Sequence, residues 1–381
     1  MTDTVHPPPP DAMHPLVPVV FDEVDPRRRG HAHGEMWRQE ICEVAQLRAE
    51  LCLRSGLARA GFRDMAELEA IANAHLPILA RELPALSEEL LGIAEGADIA
   101  PAQIVVLNHY TDLRDIAPSQ ADAPEGDGCT AIYLSGPDGP VLGQTWDMHA
   151  TAAPYVRMIR VAPKDGSGEV LCLTLTGCLG MAGIGKSGVA VTINNLTSTD
   201  ARVGLVWPAL VRAMLAEPDA RTAYQRLVAA PLSSGHHYMI ADGREFFGVE
   251  TSGELKVLTQ VGPKAAHVHT NHCFDPVLRS RESVSRDTTS FFRLDMATTL
   301  YLQERPRDLA GVWSLLGNHD GHPRSICSHV DTVRGDPGAS RTCARLAMEL
   351  WSGRVRVAPG CSADDRPLEL HLDGFVPRGA P

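Results

Sequence analysis

The chain has 381 residues, 44% of them apolar, with 47 acidic against 35 basic side chains and a net charge of -12. That is enough apolar material for a sizeable core, and no stretch gathers Lys and Arg into the footprint of a nucleic-acid binder. No run approaches the roughly 20 apolar residues of a membrane span, and the first residues lack the basic start and apolar centre of a signal peptide. The expectation is a soluble, unexported protein with neither nucleic-acid nor membrane partners. Nine cysteines, at 42, 52, 129, 172, 178, 273, 327, 343 and 361, lack the even, tight spacing of a disulfide scaffold, which predicts a reducing, cytoplasmic setting.

Residues 1–18 carry Pro7 to Pro10 in a row and predict a loose, disordered arm whose histidines, His6 and His14, have no role. Arg27-Arg28-Arg29 reads as a solvated surface run. Apolar periodicity then predicts helices over Ile41 to Leu53, Met65 to Leu76 and Leu83 to Ala94, with a short helix or turn from Pro101 to Tyr110. Ala117 to Gly128 is small and polar throughout and predicts an exposed, pliable loop.

From Cys129 the pattern becomes β-rich. Strands are expected at 130–134, 141–146, 156–161, 170–176, 189–193, 237–241, 246–250 and 266–270, with helices at 207–216, 222–229, 289–304 and 308–316. Grouped strands and grouped helices predict an α+β arrangement of layers. No internal repeat is visible.

Gly128-Cys129 stands where the polar loop meets a strand, and such a junction suits self-cleavage. Glycine imposes no side chain on the attack and permits a strained peptide. The Cys129 thiol can attack the Gly128 carbonyl to form a thioester, which water opens. The product carries a thiol and an α-amine on one residue, and that amine, with an ordinary pKa of about 8, is a built-in general base. The alternative for a cysteine opening a strand is a small core residue.

The run Gly126-Asp127-Gly128-Cys129-Thr130, followed by Gly143-Gln144-Thr145-Trp146-Asp147-Met148, resembles the isopenicillin N acyltransferase family of N-terminal-nucleophile hydrolases, also known as peptidase family C45. The resemblance continues through Thr174 to Gly177, Gly183 to Gly185, Gly188 to Asn195, Val268-His269-Thr270-Asn271-His272-Cys273, Arg324 to Cys327 and Gly338 to Arg341. Gly92 to Ala97 and Leu107-Asn108 extend it upstream, so that it covers roughly Glu35 to Leu370 in order.

The resemblance implies a four-layer αββα sandwich, with two antiparallel sheets face to face and Cys129 at the end of an inner strand. It implies that residues 19–128 remain as a mainly helical small subunit, bound to a catalytic subunit of 129–381 as one folding unit after self-cleavage. Cys129 would be the nucleophile. Asn271 would donate its amide to the oxyanion, or else merely cap a turn. Asp147 would hold the Cys129 amine in line with the thiol, or else only start a turn. Gly128, Ser340 and Arg341 would support processing. Here the chain departs from the family's Gly-x-Ser-x-Gly tendency, because Thr342 replaces the last glycine.

The reaction implied is cleavage of a small-molecule amide or acyl thioester through a Cys129 acyl-enzyme, with the acyl group passed to water or an amine and no cofactor or metal. An acyl-CoA-dependent N-acyltransferase and a β-alanyl-amine hydrolase are narrower alternatives, and an unprocessed binding module is the non-enzymatic one.

Two other signals compete. Gly180 to Ser187 satisfies the phosphate-loop pattern, but a β-branched run follows it where a helix N-terminus is required. Histidines at 236 and 237, at 267, 269 and 272, and at 319 and 322 beside Asp320 raise a metal-dependent hydrolase using His236, His269 and His319. None of them forms a helical His-Glu-x-x-His spacing.

Overall fold

Asp25 starts the first helix, its Oδ1 accepting the Arg28 N–H at 2.8 Å ahead of Pro26 at the first helical position. The structure, a computed structural model, describes residues 13–53, 61–116, 128–262, 266–284, 288–322, 324–328, 340–361, 367–372 and 374–375. Upstream of Gly128 these form α1 (Pro26–Met36), α2 (Arg38–Leu53), α3 (Met65–Glu82), α4 (Pro84–Ala97) and α5 (Pro101–Ile116). Helix α5 outruns the short element expected there, kinks at His109 and is buried almost throughout.

Helix α1 is absent from the sequence expectation, and its basic run needs a correction. Gly30 and Gly34 of α1 lie against Gly92 and Gly96 of α4 so closely that a Cβ on any of the four would collide with a carbonyl of the facing helix. Backbone meets backbone, which carries Arg29 into the interior, where its guanidinium pairs with Glu89 at 2.8 Å. Arg27 pairs with Glu88 and Glu95 at the rim. Arg28, on the outer face of the helix, stays exposed as expected.

Downstream, an eight-stranded sheet holds β1 (Val19–Phe21), β4 (Val156–Val161), β5 (Val170–Leu175), β6 (Ala182–Gly185), β7 (Ala190–Leu196), β8 (Gly235–Ala241), β9 (Phe246–Thr251) and β10 (Lys256–Val261), in that spatial order. It is antiparallel except for the parallel β1–β4 pair at one edge. The six-stranded sheet runs β11 (His267–His269), β2 (Ala131–Gly136), β3 (Gly139–His149), β12 (Ser340–Glu349), β13 (Arg354–Pro359) and β14 (Leu368–His371), antiparallel throughout. In β12 a bulge at Cys343 separates the Thr342–Asp147 pair from the Ala344–Trp146 pair.

Strand β2 shows why the layers stack as they do. Its alternate residues Ala131 and Tyr133 enter the core shared with the other sheet, whereas Ile132 and Leu134 join Ala297, Leu300, Val312 and Leu316 of α9 (Ser290–Glu304) and α10 (Leu309–Leu316). On the far side, α6 (Trp207–Leu215) and α7 (Ala220–Ala229) cover β6 to β9. The order is therefore helices, sheet, sheet, helices: an α+β, four-layer αββα sandwich. The short α8 (Pro276–Arg279) and a 3-10 helix at Ala150–Tyr155 complete the described helices. No single described helix is long and apolar enough to cross a membrane.

The Gly180 to Ser187 run is a hairpin. It contains β6 and turns through Gly188, at φ +92°, directly into β7. Of the expected arm, residues 1–12 lie outside the described residues, while Leu16 is buried, so the described end of the arm is packed rather than loose. Of the expected loop before Cys129, only Gly128 is described.

Candidate active site

Cys129 sits immediately ahead of β2, where backbone pairing has begun: Thr145 N–H donates to the Thr130 carbonyl at 2.9 Å, and Thr130 N–H donates to the Thr145 hydroxyl at 3.0 Å. The side chains of Cys129 and Ala131 share a strand face, toward the other sheet, and Thr130 faces the α9 layer. Both neighbouring layers therefore reach this strand end.

Each backbone group of Cys129 has a side-chain partner. Its N–H donates to Asn271 Oδ1 at 2.7 Å. Its carbonyl accepts from Asn194 Nδ2 of β7 at 3.1 Å and from Arg293 Nη1 of α9 at 2.7 Å. The thiol lies 4.0 Å from the Asp147 carbonyl of β3, and the residue is only 6% exposed.

Asn271 thus meets Cys129, but through its oxygen. Its Nδ2 donates to the Asn195 carbonyl at 3.0 Å, and its own N–H donates to Ser290 Oγ at 2.7 Å, which fixes the loop after β11. The position facing the Cys129 nitrogen, assigned to Asp147 by the resemblance, belongs to this amide oxygen. The Asp147 carboxylate is buried and accepts the Thr342 hydroxyl at 2.7 Å.

Thr342 is the residue that departs from the family pattern, and the bulge in β12 sets it opposite Asp147. Its N–H donates to the Ser328 carbonyl at 3.1 Å and its hydroxyl accepts the Ser328 N–H at 2.9 Å, which ties Ser328 and the residues before it to the site. Ser340 and Arg341 pair with His149 and Met148, just upstream of that contact. Strand alternation turns Arg341 to the opposite face from Thr342, toward Gly360.

Arg293 is the main residue that sequence reasoning missed. Buried on α9, it reaches the Cys129 carbonyl, the Thr130 hydroxyl at 3.0 Å, Asn271 Oδ1 at 2.9 Å and the Thr289 hydroxyl at 3.0 Å. Burial pulls its pKa down, while the charges of Asp147 and Cys129 oppose that shift. A Cβ on Gly128 would stand 2.6 Å from Arg293 Nη2, so the guanidinium occupies the space that glycine leaves. The available signal was its place on the buried stripe Ser290, Arg293, Ala297, Leu300, where the helical period demands an apolar residue or a paired charge. Asn194 lay within the Gly188 to Asn195 run but was given no role of its own.

The histidine clusters serve separate purposes. His236 bonds Asp112 at 2.8 Å, and His269 bonds Glu250 at 2.8 Å and the Thr270 carbonyl at 2.7 Å. His319 Nε2 lies 3.2 Å from Cys361 Sγ. Among the described residues, the one convergence of three metal-ligating side chains is His319 with Cys327 and Cys361; His236 and His269 take no part in it.

A family model described as acyl-coenzyme A:6-aminopenicillanic acid acyl-transferase matches residues 134–332, just over half of the chain. The chain belongs to this family. It is accordingly an enzyme, and the part matching the acyl-transferase family includes Asp147, Asn194, Asn271 and Arg293. One relative, the acyl-coenzyme A:6-aminopenicillanic-acid-acyltransferase 40 kDa form of Emericella nidulans, is 29% identical over 251 residues, which is 65% of this chain and 67% of that protein. Among solved structures, a mutant of the conjugated bile acid hydrolase of Clostridium perfringens is 12% identical with a TM-score of 0.43, over 64% of this chain and 92% of that one. An N-acylethanolamine-hydrolyzing acid amidase ortholog of Caenorhabditis elegans is 14% identical with a TM-score of 0.39, over 58% and 92%. Similarity at this level is remote.

Proposed function

We propose that Cys129 is the nucleophile of a self-processing amidohydrolase or acyltransferase. The observation that carries this reading is the capture of both backbone groups of Cys129 by three side chains from three separate elements, Asn271, Asn194 and Arg293, with Gly128 pressed against the guanidinium. A merely structural cysteine needs no such frame.

In processing, the Cys129 thiol adds to the Gly128 carbonyl and gives its proton to the departing nitrogen. The C–N bond breaks as the S–C bond forms, and water then hydrolyses the thioester to a Gly128 carboxylate and a free thiol. Arg293, beside Gly128, stabilises the developing oxyanion. Once freed, the α-amine remains in reach of Asn271 Oδ1, which orients its lone pair toward the thiol as general base.

In turnover, the same thiol attacks the carbonyl of a small amide or acyl thioester, expels the amine or thiol, and holds the acyl group until water or an amine takes it. Acyl-coenzyme A, the donor in the names of the relatives, is one such thioester. The upstream segment stays in place as the small subunit: Asp112 and Asp115 of α5 bond His236 at 2.8 Å and Ser234 at 2.6 Å across the cut.

A denaturing gel with intact-mass analysis tests the proposal. Two fragments meeting at Cys129 are expected from the wild type, and a single inactive chain from Cys129→Ala. A full-length Cys129→Ala protein with undiminished amidase or transferase activity would overturn it. Adding an amine to acyl-thioester assays then reads transfer against hydrolysis.

A further inference from the structure

The thiols of Cys327 and Cys361 and the imidazole of His319 converge, their ligating atoms all within 4.8 Å of one another. Two thiolates and an imidazole are a soft donor set, selective for zinc-class ions over magnesium or calcium. Tetrahedral bonds of roughly 2.3 Å to sulfur and 2.1 Å to nitrogen place such donors some 3.5 to 4 Å apart, close to the spacing already present. We propose that His319, Cys327 and Cys361 bind one zinc-class ion, which braces the segment that holds Thr342 on Asp147.

The backbone prepares the three ligands. Cys327 N–H donates to the Asn318 carbonyl at 3.0 Å, which sets the two ends of this loop side by side. His319 opens a turn closed by the His322 N–H at 3.1 Å and carried by Gly321 at φ +80°, where a Cβ would meet Phe292 at 2.6 Å. Gly360, at φ +66°, sends the chain from the end of β13 into Cys361, its N–H held by the Cys343 carbonyl at 2.9 Å. Both cysteines are buried and His319 is partly open, so an ion enters past the imidazole. The buried guanidinium of Arg345, stacked 4.3 Å over Trp313, lies near enough to act on His319 electrostatically.

The position gives the ion its effect. Cys327 directly precedes Ser328, whose two backbone bonds hold Thr342, and Thr342 holds Asp147 beside Cys129. Binding displaces two thiol protons to solvent and fixes this strap at its root.

The test is elemental analysis and spectroscopy of the full-length protein purified under reducing conditions. About one equivalent of zinc per chain is expected, with Co2+ replacement giving the near-ultraviolet thiolate charge-transfer band, both falling at least tenfold in Cys361→Ser. His319→Ala, which changes a partly exposed side chain, should weaken binding about 10- to 100-fold in a folded protein, so the proposal does not depend on the cysteine variant folding. Cys129→Ala should bind the ion fully, which separates this inference from the nucleophile assignment. Less than about a tenth of an equivalent after reconstitution with Zn2+ or Co2+ would overturn it. So would a Cys327–Cys361 disulfide in the reduced preparation.

Discussion

Two buried polar clusters, one between the two sheets at Cys129 and one between α5 and β8, are built differently. Around Cys129, the donors and acceptors of Asn271, Asn194 and Arg293 are matched to the backbone atoms they surround. At the seam between α5 and β8, by contrast, His109, Asp112 and Asp115 meet His236, Ser234 and Tyr238, and polar atoms are left over. Among the described residues, His236 Nδ1, the Tyr238 hydroxyl and Trp207 Nε1 are buried without a hydrogen-bond partner. Each such atom costs roughly 1–3 kcal/mol unless a water or ligand meets it. The first cluster fixes a geometry. The second joins α5, upstream of Cys129, to β8, downstream of it.

The contrast breaks first at Arg293. Lysine keeps the charge but cannot supply the fork that serves Cys129, Thr130 and Asn271 together, so Arg293→Lys should slow processing by about 10²- to 10³-fold while the circular dichroism spectrum stays that of the wild type. Wild-type processing in this variant would mean that the frame around Cys129 is not tuned. A smaller effect is expected from Thr342→Val, which is nearly isosteric and deletes the hydroxyl on Asp147: about a tenfold fall in kcat, with KM unchanged and less than about 1.5 kcal/mol lost in urea unfolding. A change confined to KM would place Thr342 in substrate binding instead.

The smallest effect is expected at the seam and is one of pH. Burial pushes the Asp115 carboxyl up to about 6, against an ordinary value near 4. Asp112 is also opposed by burial, but His109 and His236 bring it down to about 2. Raised in the folded state, Asp115 contributes a penalty that grows as pH rises from about 4 through 6; lowered, Asp112 contributes stability that is lost as pH falls from about 4 toward 2. Burial also holds His109 near 3, so the folded protein resists its protonation and loses stability as pH falls below about 6.5. In a Cys129→Ala background, to keep the chain in one piece, Asp115→Asn should leave the acid limb intact and lift stability at pH 7 by roughly 1 kcal/mol relative to pH 4. An unchanged pH profile would show that water already solvates Asp115.

Much of this architecture was readable where one face of an element is apolar. Strand β4 matches its expected bounds, and α6, α7, α9 and α10 fall within two residues of theirs, because the helical or alternating period is strong there. Helix α1 was not readable: its packing face is glycine, which carries no hydrophobic signal, and its arginines find partners only after α4 is in place. Strand β12 hid for a related reason, since Arg341 and Arg345 break its alternation, and Arg345 is buried against the Trp313 ring. At the candidate site, motifs pointed to Cys129, Asp147 and Asn271. Arg293 and Asn194 serve through atoms that converge only in three dimensions. Likewise His319, Cys327 and Cys361 match no short metal-binding spacing, and the ligands meet because separate loops are folded against one another.

The bulge in β12 has a consequence for how this site can be inherited. A regular ladder continued from Ala344 would set Cys343 against Asp147 and slide Thr342 to the other surface of the strand. The strand therefore carries two successive candidates for the same seat, a thiol and a hydroxyl, and the bulge seats the hydroxyl while the Cys343 sulfur lies 3.8 Å from the Met148 carbonyl. An insertion or deletion ahead of the bulge changes only which residues precede Thr342. One between the bulge and Ala344 re-deals the seat itself, so length changes in descendants of this chain should be confined to the upstream side.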